Sequence, residues 1–127
     1  RGLGRSNVRA VQGEGAGALA ALLPEKSVSV FHVSFPDPWP KRRHATRRLV
    51  GETFLEEISR ALCHGGTLRL MTDDAAYFSG MKKLLKTGWE EFEWQDGIDR
   101  PATAFEKTFL DLGLHPHRCA VRPLSRR

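Results

Sequence analysis

Apolar and polar positions change period several times along the chain, and the changes mark its elements. Ser27–Phe35, SVSVFHVSF, is rich in β-branched and aromatic residues and almost continuous in apolarity, the pattern of a buried strand in a parallel sheet. From about Ala45 to Leu62 the period becomes helical, with Leu49, Val50, Phe54, Leu55, Ile58 and Leu62 on one face, and His64-Gly65-Gly66 supplies a glycine stop. Thr67–Thr72 then reads as a strand, Asp73–Gly88 as a helix, Glu90–Gln95 as a strand, Ala102–Gly113 as a helix and His117–Pro123 as a final strand. Ahead of these lie a short strand candidate, Asn7–Gln12, closed by the glycine-rich 13–17, and a short helix, Ala18–Leu23, stopped by Pro24.

Strands alternating with helices predict a doubly wound α/β sheet, with the last two strands as an alternative antiparallel pair around an intervening helix. Ligands of such sheets bind beyond the carboxyl ends of the strands. Three strand ends carry acids, namely Glu14, Asp37 and the pair Asp73–Asp74. Each alone reads equally as a helix cap or turn former. Together on one rim they converge on a single crevice.

The sequence of 127 residues is one domain in size, and 40% hydrophobic with 28% charged residues fits a globular protein rather than a disordered one. No apolar run approaches the roughly 18 residues of a membrane span. A net charge of +5 favours a polyanionic partner. Cys63 and Cys119 lack metal-ligand spacing and read as reduced thiols of a cytoplasmic protein. The opening RGLGRSNVRA has neither an initiator Met nor a signal-peptide core, so the chain is expected to be part of a longer protein.

The densest chemistry follows the Ser27–Phe35 strand, in SFPDPWPKRRHATRR. Pro36, Pro38 and Pro40 fix φ and remove donors, so Asp37 and Trp39 are held on a rigid loop. Lys41, Arg42, Arg43, His44, Arg47 and Arg48 then crowd what the periodicity makes a helix N-terminus. Cations are unfavourable at that end, and phosphate is favoured there, so the cluster points to an anion. A solvated basic face and a proline turn with Trp39 as a lid over the core are the plainer alternatives. Phosphate contacts orient a nucleic acid, carboxylates accept from base N–H groups, and an aromatic ring stacks on a base.

FPDPWPKRRHATRR, followed after a helix and Gly65-Gly66 by MTDDAAYF and then by TAFEKTFLDLG, resembles the bacterial tRNA (guanine-N7)-methyltransferases in order and spacing. The resemblance covers essentially the whole chain and implies a Rossmann-like class I methyltransferase sheet, three-layer α/β/α, lacking its first strands. Residues 1–127 would then be the C-terminal portion of one methyltransferase domain. It implies a methyl donor, S-adenosylmethionine, and tRNA as partner, with N7 of the variable-loop guanine-46 methylated and neither metal nor membrane involved. Asp37 and Asp73 would be the catalytic acids, and Glu14 and Asp37 would touch the cofactor. Lys41, Asp73, Thr103, Ala104, Phe105 and Glu106 would form the substrate site. Arg43, His44, Arg47 and Arg48 would face RNA.

Guanine N7 is an unprotonated lone pair, so catalysis would be mostly positioning, with carboxylates favouring the charge that guanine gains. The chain departs from the family pattern in three places. It has no glycine-rich cofactor loop or second-strand acid, Ala45-Thr46 stands where a lysine is usual, and Glu14 replaces an aspartate. A non-catalytic RNA-binding remnant is the second reading. A dinucleotide-dependent oxidoreductase ranks low because no dinucleotide-binding glycine loop is visible.

Overall fold

Alternation in the strands decides which side of the sheet becomes the core. The computed structural model describes residues 12–13, 15–39, 41–94, 107, 111–113 and 115–124. Its elements are α1 (Gly15–Leu22), β1 (Val28–Ser34), a 3-10 turn (Arg42–Arg47), α2 (Glu52–Ala61), β2 (Leu62–Thr72), α3 (Ala75–Leu84), β3 (Trp89–Phe92) and β4 (His117–Pro123). The sheet order is β1-β2-β4-β3. β1 and β2 are parallel, with Val33 beside Leu70 and Ser34 beside Met71. β4 lies antiparallel to both its neighbours. The last two strands therefore pair antiparallel, and the sheet is mixed rather than wholly parallel.

On one face Leu68, Leu70, Cys119 and Val121 are buried, with Phe31 and Val33 of β1 packed beside them. Phe54, Leu55 and Ile58 of α2, Tyr77 and Met81 of α3 and Leu19 of α1 join that core. Each such side chain, fully buried, contributes about 1.5–3 kcal/mol. On the opposite face the guanidinium groups of Arg69, Arg118 and Arg122 lie 4.3 to 5.7 Å from the ring centroids of Phe92 and Trp94.

Two expectations need correction. The helix expected from Ala45 to Leu62 divides into the 3-10 turn and α2, separated by residues 48–51. Gly51 caps α2 in an extended conformation, and Glu52 supplies the first-turn acid that the helix dipole favours. Leu49 and Val50 still pack on the core from the connecting turn, so their helical spacing records burial, not backbone conformation.

His64-Gly65-Gly66 does not stop the helix, because α2 passes directly into β2 at Leu62. The glycines instead form a bulge. Val28 pairs with Leu62 but Val30 with Thr67, and Gly65 takes φ +80° within the extra residues. A Cβ on Gly66 would lie 2.9 Å from Leu62 Cδ2 and 3.1 Å from the Val28 carbonyl, so the close approach of β1 requires glycine.

The strand expected over residues 7–12 lies outside the described residues, except Gln12, which is not in a strand. Of the helix expected over 102–113, Lys107 and Asp111 are helical.

Candidate functional site

Because β1 and β2 are parallel, their carboxyl ends, Ser34 and Thr72, open onto one rim. β4 starts there too, with His117 paired to Thr72. The proline elbow and the Asp73–Asp74 loop are thus brought side by side by register alone.

The elbow begins with Phe35, whose N–H donates to the Met71 carbonyl at 2.7 Å and ties it to β2. Phe35 and Trp39 have φ of +55° and +44°, a left-handed conformation that costs non-glycine residues about 1–3 kcal/mol each. Such strain persists only where neighbours hold it. The Trp39 N–H donates to Asp37 Oδ1 at 3.1 Å, and Arg48 Nε donates to the Pro38 carbonyl at 2.6 Å. Asp37 is exposed on this fixed frame. One carboxylate oxygen sets the turn.

The second acid pair splits into two roles. The Asp74 N–H donates to Thr72 Oγ1 at 3.2 Å, and Asp74 Oδ1 accepts from the Tyr77 N–H at 2.7 Å. Asp74 is therefore the N-cap of α3. Asp73, between Thr72 and the cap, is exposed.

Beneath both loops lies Tyr77, 2% exposed. Its hydroxyl accepts from the Val50 N–H at 2.8 Å, and the Arg48 guanidinium sits 5.1 Å from its ring centroid. Burial pushes the phenol pKa above its usual value, while the Val50 hydrogen bond and the Arg48 charge pull it back in part. The Asp37 carboxylate adds a smaller upward push.

The cations do not crowd a helix N-terminus. They occupy the separate 3-10 turn, and α2 opens with an acid, so the dipole reason for expecting an anion there falls away. The cluster itself stands. Lys41, Arg43 and Arg47 are exposed, and His44 is half-buried. Trp39 is their platform, with the Arg47 guanidinium 5.2 Å from its centroid and the His44 ring edge-on at 5.4 Å. Glu14, Thr103, Ala104, Phe105 and Glu106 lie outside the described residues.

The rim thus unites Asp37, Asp73 and the cationic turn. Tyr77 and Thr72, which hold it in place, were not singled out by sequence. The available signal was thin: Tyr77 is the only tyrosine of the chain, within MTDDAAYF.

A family described as "Putative methyltransferase" matches residues 1–119. The tRNA (guanine-N(7)-)-methyltransferase of Corynebacterium diphtheriae is 38% identical over 114 residues, 84% of this chain and 44% of that protein. The enzyme of the same name from Thermus thermophilus is 45% identical over 86 residues, 67% of this chain and 28% of that protein. The chain spans less than half the length of these relatives. A Thermus thermophilus structure titled "Putative DNA Modification Methylase" superposes with a TM-score of 0.50 at 17% identity, covering 91% of this chain and 54% of that one. The mixed sheet and its helices are those of a Rossmann-like class I methyltransferase fold. The chain belongs to the methyltransferase family that matches it, and the relatives it resembles there are named tRNA (guanine-N(7)-)-methyltransferases.

Proposed function

We propose that this chain supplies the substrate-facing rim of an S-adenosylmethionine-dependent tRNA (guanine-N7)-methyltransferase, which forms 7-methylguanosine at guanine-46 of the variable loop. The observation that carries this reading is the placement of Asp37 on a strained, fixed elbow between a strand end and a cationic turn, with Asp73 on the adjacent strand end.

Two exposed carboxylates on one rim suit a ligand bearing positive charge. S-adenosylmethionine carries an ammonium and a sulfonium, so the described residues fit that end of the cofactor, and Asp37 would hold it. When bound, the cofactor supplies the methyl electrophile. The chain's own residues supply position and field. Asp73 accepts from the Watson–Crick N–H groups of the target guanine and orients N7 toward the donor. Asp37 and Asp73 favour the positive charge the base acquires. No residue needs to move a proton, because N7 already presents a lone pair. Lys41, Arg43 and Arg47 contact phosphates and set the register of the RNA. On this reading the protein works in the cytoplasm, where a tRNA substrate would be met.

The test is methyl transfer by the full-length protein, with labelled S-adenosylmethionine and tRNA, and the product base identified after nuclease digestion. Labelled 7-methylguanosine supports the reading. A folded protein that binds no S-adenosylmethionine overturns it, and tRNA binding without transfer would favour an RNA-binding remnant.

A further inference from the structure

Arg48 closes the cation run, and by sequence it belongs with its neighbours as an RNA contact. Its surroundings differ from theirs. Lys41, Arg43 and Arg47 are exposed, whereas Arg48 is half-buried. Its Nε donates to the Pro38 carbonyl at 2.6 Å, ten positions back inside the elbow. Its guanidinium carbon lies over the ring of Tyr77, 5.1 Å from the centroid. Tyr77 is itself fixed at both ends, by Asp74 Oδ1 on its N–H at 2.7 Å and by the Val50 N–H on its hydroxyl at 2.8 Å.

We propose that Arg48 is a positioning residue, which clamps the Asp37-bearing elbow to the first turn of α3 and so holds Asp37 and Asp73 in one frame. The proposal rests on the reading of those two acids as the reactive rim. The chemistry of the elbow explains the choice of residue. Prolines remove donors on both sides of Asp37, so backbone carbonyls are the handles that remain. Pro38 is the residue before the positive-φ Trp39, and a charge-assisted hydrogen bond to its carbonyl opposes relaxation of that strain. Unlike lysine, arginine combines an Nε–H with a planar face that can stack on a ring while bonding in its own plane. Lysine keeps the charge and loses both.

Two variants of the full-length protein, Arg48→Lys and Arg48→Ala, test this against Arg47→Ala. Hydrogen–deuterium exchange of the Phe35 and Trp39 amides, which bond to the Met71 carbonyl and Asp37 Oδ1, is expected to rise about tenfold in both Arg48 variants, with β4 unchanged. Methyl transfer from the preformed tRNA complex is expected to fall about tenfold in Arg48→Lys, with tRNA affinity and its salt slope unchanged. Arg47→Ala is expected to lower that slope by about one.

Wild-type exchange and transfer in Arg48→Lys would overturn the proposal, as would an Arg48→Ala slope that drops like that of Arg47→Ala. If Arg48→Ala does not fold, the lysine variant decides, since it keeps the charge and most of the volume. If the wild-type protein transfers no methyl group, the functional reading fails separately. Elbow exchange then decides the role of Arg48 alone, with unaltered exchange overturning it.

Discussion

The backbone N–H of Val50 donates to the hydroxyl of Tyr77 at 2.8 Å, joining the turn before α2 to the first turn of α3 across 27 positions of sequence. Val50 and Tyr77 are both buried, at 4% and 2% exposure, so no water replaces this bond. Tyr77→Phe keeps the ring and strands the Val50 N–H. It is expected to cost about 1–3 kcal/mol, the penalty of an unsatisfied buried donor. Urea unfolding measures it, and an unchanged midpoint would show that the turn relaxes to find another acceptor.

The two acids after β2 separate by what they lose. Asp74→Ala removes the cap of α3 and is expected to lower stability by about 1 kcal/mol, largely restored by Asp74→Asn. Asp73→Asn is expected to leave stability within about 0.5 kcal/mol, as for an exposed surface position. It should lower methyl transfer instead. Paired unfolding and transfer assays make the comparison, and equal stability losses in both variants would contradict the division of roles.

Burial raises the Cys119 thiol from 9.0 to about 11. The folded state therefore keeps a proton that the unfolded chain begins to release near pH 9. Stability from this group is complete below pH 9 and falls away between pH 9 and 11, by about 2–3 kcal/mol at the upper end. The raised Tyr77 phenol acts in the same direction at more alkaline pH. Denaturant titrations across pH 8–11 should show the decline, and Cys119→Ala should flatten its lower part. An equally steep decline in that variant would assign the loss to other groups.

Gly66→Ala places a methyl group between Leu62 Cδ2 at 2.9 Å and the backbone oxygens of Cys63 and Val28. The expected cost is about 1–3 kcal/mol, as for overpacking against groups that cannot yield. Gly65→Ala meets no atom but must adopt φ +80°, so it should cost less room and more backbone strain. Thermal unfolding of both variants checks this.

Much of the sheet could be read from local pattern, and the reasons for success and failure are physical. β1 is rich in β-branched and aromatic residues and β4 carries a buried Cys119-Ala120-Val121 centre, neither has an internal glycine, and their bounds lie within one residue of those read from the pattern. Leu49 and Val50 misled because a turn that faces the core acquires the same spacing as a helix. Gly65 and Gly66 misled because a glycine pair stops a helix and makes a bulge equally well, and only the partner strand distinguishes the two. The acids of the rim were legible because strand ends announce themselves. What fixes the rim was not, since the bonds of Tyr77 to Val50 and of Arg48 to Pro38 join segments whose neighbourhood only the folded chain creates.

β4 follows β3 in sequence, yet it sits between β2 and β3. During synthesis, β3 thus emerges from the ribosome before β4, its partner strand among the described residues, and that pairing waits for residues 117–123. The seam between the two halves of the sheet is sewn after both halves have been made. A stop before residue 117 would remove a central strand rather than trim an edge, leaving the β2 and β3 edges open to pair with other chains. Quality control of this protein would therefore be most sensitive to errors that cost it residues 117–123.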